Sequence, residues 1–273
     1  YVGSAVILGS LTRGDPKTLS GDALAAYQAQ EAHVVGQAYL GIAIALGAVA
    51  VAVWLGRKLL AEEKAPAPSL SRAIGLLKRP RLAFGAACIF LYVGAEVAVG
   101  SLIVNYLMQA NVMGLDEQSA GKHIPLYWGG ALIGRFVGAA ILRKFNPGKV
   151  LACVAAGSIS LLLISGLTSG AVSGWTLLAV GLCNSIMFPT IFTLACEGLG
   201  VRAAEGSGII CVAIVGGAVV PPLTGALADV VGLQLALILP ALCYGIILLF
   251  GLYARKSVAP LDEHTYEMAP PVV

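Results

Sequence analysis

The chain has 273 residues, of which 58% are hydrophobic and only 11% charged; its net charge is +3 and its mean hydropathy +0.89. Soluble domains carry about 25% charged residues, so a water-dispersed globule is excluded and lipid is the natural solvent. The small net charge and the lack of a basic tract with interleaved aromatics argue against a nucleic-acid partner.

The chain opens at Tyr1, inside the apolar stretch YVGSAVILGSL, without a basic, cleavable leader. The reading is a piece of a longer protein, with this stretch the end of one more span. A helix that crosses a bilayer needs roughly 20 mostly apolar residues. Such runs lie at about 35–57, 83–108, 124–144, 149–168, 174–197 and 208–253. The last is too long for one crossing. Asp229 and Gly232 divide it into 208–228 and 233–253, which makes seven expected spans. The runs are apolar nearly all round, as expected of helices that meet lipid on one side and protein on the other. Strands fit poorly, because a membrane barrel alternates over segments of about 10 residues and these runs are continuous.

Basic residues alternate between the loops. Segment 57–81 holds Arg57, Lys58, Lys64, Arg72, Lys78, Arg79 and Arg81, while 109–123 holds only Lys122. Arg143, Lys144 and Lys149 follow, then none in 169–173, then Arg202, then none before Arg255 and Lys256. Cytoplasmic loops carry the excess of Lys and Arg, so segment 57–81 and the C-terminus are expected in the cytoplasm. Within that segment EEKAPAPSLSRAIGLLKRP, residues 62–80, has a soluble composition. Its Ala-Pro repeats suit extended chain, and SLSRAIGLLK suits a short amphipathic helix on the membrane surface. The tail, 257–273, is Pro-rich and expected to be disordered.

No nucleophile elbow, phosphate loop or metal motif is present, so no enzyme and no cofactor are expected. Cys88, Cys153, Cys183, Cys196, Cys211 and Cys243 all fall in spans, as small apolar packing residues do. His33, His123 and His264 share no motif.

Four blocks carry a resemblance: FLYVGAEVAVGSLIVNYL, YWGGALIGRFVGAAILRKFNPGKVL, CNSIMFPTIFTLACEGLG and GSGIICVAIVGGAVVPPLTGALAD. They resemble the seventh, eighth, tenth and eleventh helices of the fucose/galactose/glucose symporter family of major facilitator transporters. The likeness is nearer the glucose/galactose branch, where a Glu stands in the VGAE block. The resemblance implies an all-α polytopic membrane fold. Residues 1–61 would be a remnant of the N-terminal bundle (the end of helix five, then helix six). A central cytoplasmic linker would follow at 62–81, then a C-terminal six-helix bundle at 82–255 and a cytoplasmic tail at 256–273. Helices one to four of the same protein would be missing partners. The implied activity is secondary active transport of hexoses across a bacterial inner membrane by alternating access, as symport with H⁺ or Na⁺ as the coupling cation. One departure is visible after helix eight: Leu142 stands where the facilitator loop signature has an acidic residue before the basic pair Arg143 and Lys144. The rival readings are a facilitator of another small solute and a non-transporting membrane scaffold.

Glu96 is the centre of the site reading. It is the only charged residue between Arg81 and Asp116 and stands mid-span, where a charged carboxylate costs about 2.5–3.5 kcal/mol even on the gentler insertion scale. A sugar or water-filled cavity, an ion pair, or protonation would each offset that cost. Tyr92 shares its face one turn earlier. Arg135, midway along helix eight, is the candidate ion-pair partner or cavity cation, and Trp128, seven residues before it, shares its face as a candidate stacking platform. Asn105 and Ser101 share a face of helix seven, but nine residues put Asn105 opposite Glu96 unless the helix bends at Gly100. Asn184, mid-helix ten, is a candidate sugar ligand or an interhelical bond. Glu197 reads as an end-of-helix contact. Helix eleven is crowded with glycine around Pro221 and Pro222, which suits close packing or a bend.

Overall fold

The computed structural model describes residues 21–56 and 70–258. The expected N-terminal span end, the Ala-Pro stretch, His264 and residues 259–273 of the tail lie outside the described residues. The chain divides into two units, 1–67 and 68–273.

The first unit contributes one helix, α1 (Asp22–Gly56). It is longer than the expected span 35–57 because the stretch ahead of Tyr39 is rich in Ala and Gln, which propagate a helix without needing lipid. Only Tyr39–Gly56 is apolar enough to cross a membrane.

The second unit is helical throughout its described residues. In chain order it holds α2 (Leu70–Leu76), α3 (Pro80–Met108), α4 (Glu117–Gly121), α5 (Ile124–Leu142), α6 (Pro147–Leu167), α7 (Gly170–Asn184) and α8 (Met187–Cys196). After a short 3₁₀ turn come α9 (Ala203–Ala213), α10 (Gly216–Val231), α11 (Leu233–Ala236) and α12 (Ile238–Ala254). Counted by length and apolarity, the described chain has seven candidate membrane spans, as expected. The expected break near 229–232 is present: α10 ends at Val231 and Gly232 takes φ +88°, a conformation open to glycine. The amphipathic stretch forms α2, with Leu76 buried.

Helix α3 is the hub. It packs on α7, α8, α9, α10 and α12, and Leu82, Ile89, Tyr92, Ala95, Val99, Ile103, Tyr106 and Leu107 form much of the core. The approach of α10 is set by Gly216, where an added Cβ would overlap the Phe90 carbonyl. Small residues permit such contacts between membrane helices.

Two spans are not continuous. The span Gly170–Cys196 is broken at Ser185 and Ile186, between α7 and α8. Pro189 has no N–H to give the Ser185 carbonyl four residues back, so the ladder fails there. The span Ala203–Val231 breaks at Ile214 and Val215, where Gly217 and Ala218 bond back only three residues. Pro221 and Pro222 lie inside the unbroken α10, so the interruption is a full turn or more before the prolines rather than at them.

Polar side chains lace both ends of the bundle. At one end the buried Arg81 guanidinium donates to the carbonyls of Leu194 (2.7 Å), Lys256 (2.6 Å) and Ala254 (3.1 Å) and pairs with Glu197. Arg81 was expected in the linker, but α3 starts at Pro80, so the side chain is part of the bundle. Glu197 is the end-of-helix contact expected of it. At the other end Asn111 donates to Gln234 Oε1 (2.8 Å), and Gln234 donates to the Thr168 carbonyl (2.8 Å). Tyr106, Ser165 and Ser173 form a buried hydroxyl cluster beside it.

Candidate functional site

Between those two ends lies a third polar level, built from residues of several helices. Tyr92 and Glu96 stand one turn apart on α3, and the Tyr92 hydroxyl lies 2.7 Å from Glu96 Oε1. The same hydroxyl lies 2.9 Å from the backbone carbonyl of Asn184, the last residue of α7. From α5, Tyr127 donates to the Glu96 carbonyl at 3.3 Å. Asn184 Nδ2 donates to Tyr127 Oη at 3.0 Å, and Ser158 on α6 donates to Asn184 Oδ1 at 3.4 Å. Tyr244 on α12 approaches Asn184, yet its fully buried hydroxyl makes no hydrogen bond of acceptable geometry.

The lattice depends on close helices. An added Cβ at Gly181 would overlap the Tyr127 carbonyl, so a bare glycine lets α5 settle against α7. That contact, less than one turn from Asn184, brings the Tyr127 hydroxyl within reach of the Asn184 amide.

Burial sorts the members by role. Tyr127, Asn184, Ser158 and Tyr244 are 0% exposed and Tyr92 2%. Glu96 is half-buried, so it is the least enclosed member of the lattice. Beside it the Trp128 ring covers Gly100, one turn beyond Glu96, with its Cζ2 3.3 Å from where a Cβ would stand. Gly100 thus makes room for an indole; α3 runs unbroken from Pro80 to Met108 and shows no break there. Trp128 is 46% exposed, and Arg135 is exposed on the same helix. Among the described residues no carboxylate lies within ion-pair distance of Arg135.

The structure therefore brings together Glu96, Tyr92 and Asn184, and sets Trp128 next to them on Gly100. Asn105 is exposed, without a hydrogen bond, on the side of α3 away from Glu96. Tyr127, Ser158 and Tyr244 are site residues that the sequence reading missed. Only adjacency to Trp128 hinted at Tyr127, since a helix apolar all round gives no phase. No cluster of His, Cys, Asp and Glu able to hold a metal ion occurs among the described residues. Cys88 and Cys243 are buried packing residues as expected, whereas Cys153 and Cys211 are exposed on the outside of their helices.

The sequence profile of the Major Facilitator Superfamily matches residues 32–213. The chain is 46% identical over 227 residues to the glucose/galactose transporter of Brucella abortus biovar 1 (strain 9-941), a match that covers 83% of this chain and 55% of that protein. It is 34% identical over 172 residues to the L-fucose-proton symporter of Escherichia coli (strain K12), covering 62% of this chain and 38% of that one. The crystal structure of the Major Facilitator Superfamily transporter FucP in the outward conformation superposes with a TM-score of 0.74 at 28% identity, over 94% of this chain and 64% of that one. The chain thus spans about half the length of the Brucella relative. Matched by profile over two-thirds of its length and by fold over nearly all of it, the chain belongs to the Major Facilitator Superfamily.

Proposed function

We propose that this chain forms part of a hexose transporter that works by alternating access as a cation-coupled symporter. One observation carries the reading: a mid-span carboxylate, Glu96, is half-buried and accepts from Tyr92, and the part-exposed Trp128 covers Gly100 one turn away. Sugar hydroxyls donate well to a carboxylate, and an indole face suits the apolar face of a pyranose. Facilitator substrate sites lie near the bilayer midplane between the two halves, which is where Glu96 stands along its span. The names of the relatives, a glucose/galactose transporter and a fucose-proton symporter, support a hexose substrate and favour H⁺ over Na⁺ as the coupling ion.

Within this reading Glu96, Trp128 and Arg135 line the cavity. Tyr92 and Asn184 are positioning residues, because both are buried with their polar groups engaged inside the bundle. Asn105, on the other side of α3, serves the outer part of the pathway. The missing face of the cavity comes from helices one to four, and the protein sits in a bacterial inner membrane with segment 57–81 and the C-terminus in the cytoplasm. The seven apolar spans and the loop charges support this placement.

The test is uptake of D-glucose, D-galactose and L-fucose by the full-length protein in liposomes, with and without an inward proton gradient. Gradient-driven uptake of one of these hexoses is expected; folded protein that neither binds nor moves any of them would overturn the reading. Arg135 favours one alternative, an anionic solute, since no carboxylate pairs with it among the described residues. Preference for D-galacturonate over D-galactose would install that alternative.

A further inference from the structure

The Tyr92 hydroxyl lies within hydrogen-bond distance of two acceptors, Glu96 Oε1 at 2.7 Å and the Asn184 carbonyl at 2.9 Å. A phenol has one hydrogen to give. The residue is 2% exposed, so bulk water has little access to serve whichever acceptor goes without. The two acceptors are also of different kinds. One is the half-buried carboxylate of Glu96, a cavity wall on the proposed reading. The other is the last carbonyl of α7, which belongs to the set a helix end leaves without an internal partner and stands directly before the break at Ser185 and Ile186. The Tyr92 ring also packs against Phe188, the second residue of α8, with centroids 6.3 Å apart. Tyr92 therefore touches the carbonyl on one side of the break and a ring on the other.

From this arrangement we infer that Tyr92 transmits the occupancy of Glu96 to the break between α7 and α8. With the carboxylate unoccupied, its charge holds the phenolic hydrogen, since charge-assisted bonds are the stronger ones. A sugar hydroxyl that donates to Glu96 satisfies part of that charge, and the hydrogen moves to the Asn184 carbonyl. The end of α7 is then tied to α3 where before it was free to tilt against α8. The fully buried hydroxyl of Tyr244 stands next to Asn184 without a well-formed hydrogen bond, as expected of a lattice that does not satisfy every group in one arrangement. The inference rests on the reading of Glu96 as a sugar contact.

Cys183, half-buried in the last turn of α7, reports on the break. In full-length protein with the other native cysteines replaced, the rate of Cys183 modification by a small maleimide is measured with and without saturating D-galactose or D-glucose, whichever is transported. Sugar is expected to change the rate at least about fivefold. Tyr92→Phe keeps the ring and its Phe188 contact; it is expected to abolish that change and to lower the transport turnover about tenfold, with a much smaller effect on sugar affinity. A sugar-dependent rate that survives in Tyr92→Phe, or none in the unsubstituted protein, overturns the inference. Glu96→Gln tests the underlying reading separately: unchanged sugar affinity there would remove the sugar contact itself. A measurement without substitution at the lattice guards against a misfolded variant. In protein carrying ¹³Cζ-tyrosine, the Tyr92 signal is expected to move when sugar binds, and an unmoved signal counts against the transfer.

Discussion

Asn184 donates its side-chain amide to the Tyr127 hydroxyl at 3.0 Å, a bond that joins α7 to α5 in the middle of the bundle. Both residues are fully buried, so neither has water to fall back on. The bond exists because Gly181 leaves no side chain between the two helices. Gly181→Val should therefore push α5 from α7 and part Asn184 from Tyr127. Overpacking of this kind costs about 1–3 kcal/mol, with more lost if the amide is left unpaired. Thermal denaturation in detergent measures it, and an unchanged melting temperature would mean the interface tolerates a branched side chain.

On the proposed reading Glu96 and Arg135 both line the cavity, and no ion pair joins them among the described residues. Glu96→Gln keeps the shape and loses the charge, so hexose affinity should fall by about 1–2 kcal/mol, the gap between charged and neutral hydrogen bonds. Folding should hold, because no ion pair is broken among the described residues. If Glu96 instead neutralised Arg135, the same change would strand a cation and cost stability, and Glu96→Gln with Arg135→Gln would restore it. Sugar titrations and melting curves of the two single variants and the double variant, in the full-length protein, decide between these outcomes.

Arg81 ties the start of α3 to the ends of α8 and α12 through three carbonyls and Glu197. Removing one partner of a buried pair typically costs about 3–5 kcal/mol. Arg81→Ala should approach that range, and Arg81→Lys should not rescue it fully, since an ammonium cannot reproduce the planar fork of donors. Glu197 is more exposed than Arg81, so Glu197→Gln should cost less. The order of the three melting temperatures is the test.

Orientation can be read at the two ends of one span. Gln118 and Lys144 are exposed at opposite ends of the stretch that contains α5. With the basic loops in the cytoplasm, Gln118→Cys should react with an impermeant thiol reagent from outside intact cells and Lys144→Cys should not. The reverse pattern would invert the topology.

Composition and charge alone carried the number of spans, the break at Gly232 and the all-α class, because bilayer thickness and the cost of bare backbone in lipid act on length and hydropathy. They also placed Glu96 mid-span, since depth is read along the chain. Rotation about each helix axis was another matter. Helices that are apolar on every side show no phase, so the sequence offered Trp128 for the site while Tyr127, its neighbour, is the one turned into the lattice. Likewise Asn184 read as a sugar ligand or an interhelical bond, and the packing of α5, α6 and α7 commits its amide to Tyr127 and Ser158. Arg81 read as linker charge, and the carbonyls that surround it come from residues more than a hundred positions away. Those partners are set by how close the helices approach, and the approach is governed by glycines such as Gly181 and Gly216, whose meaning appears only when the facing backbone is known.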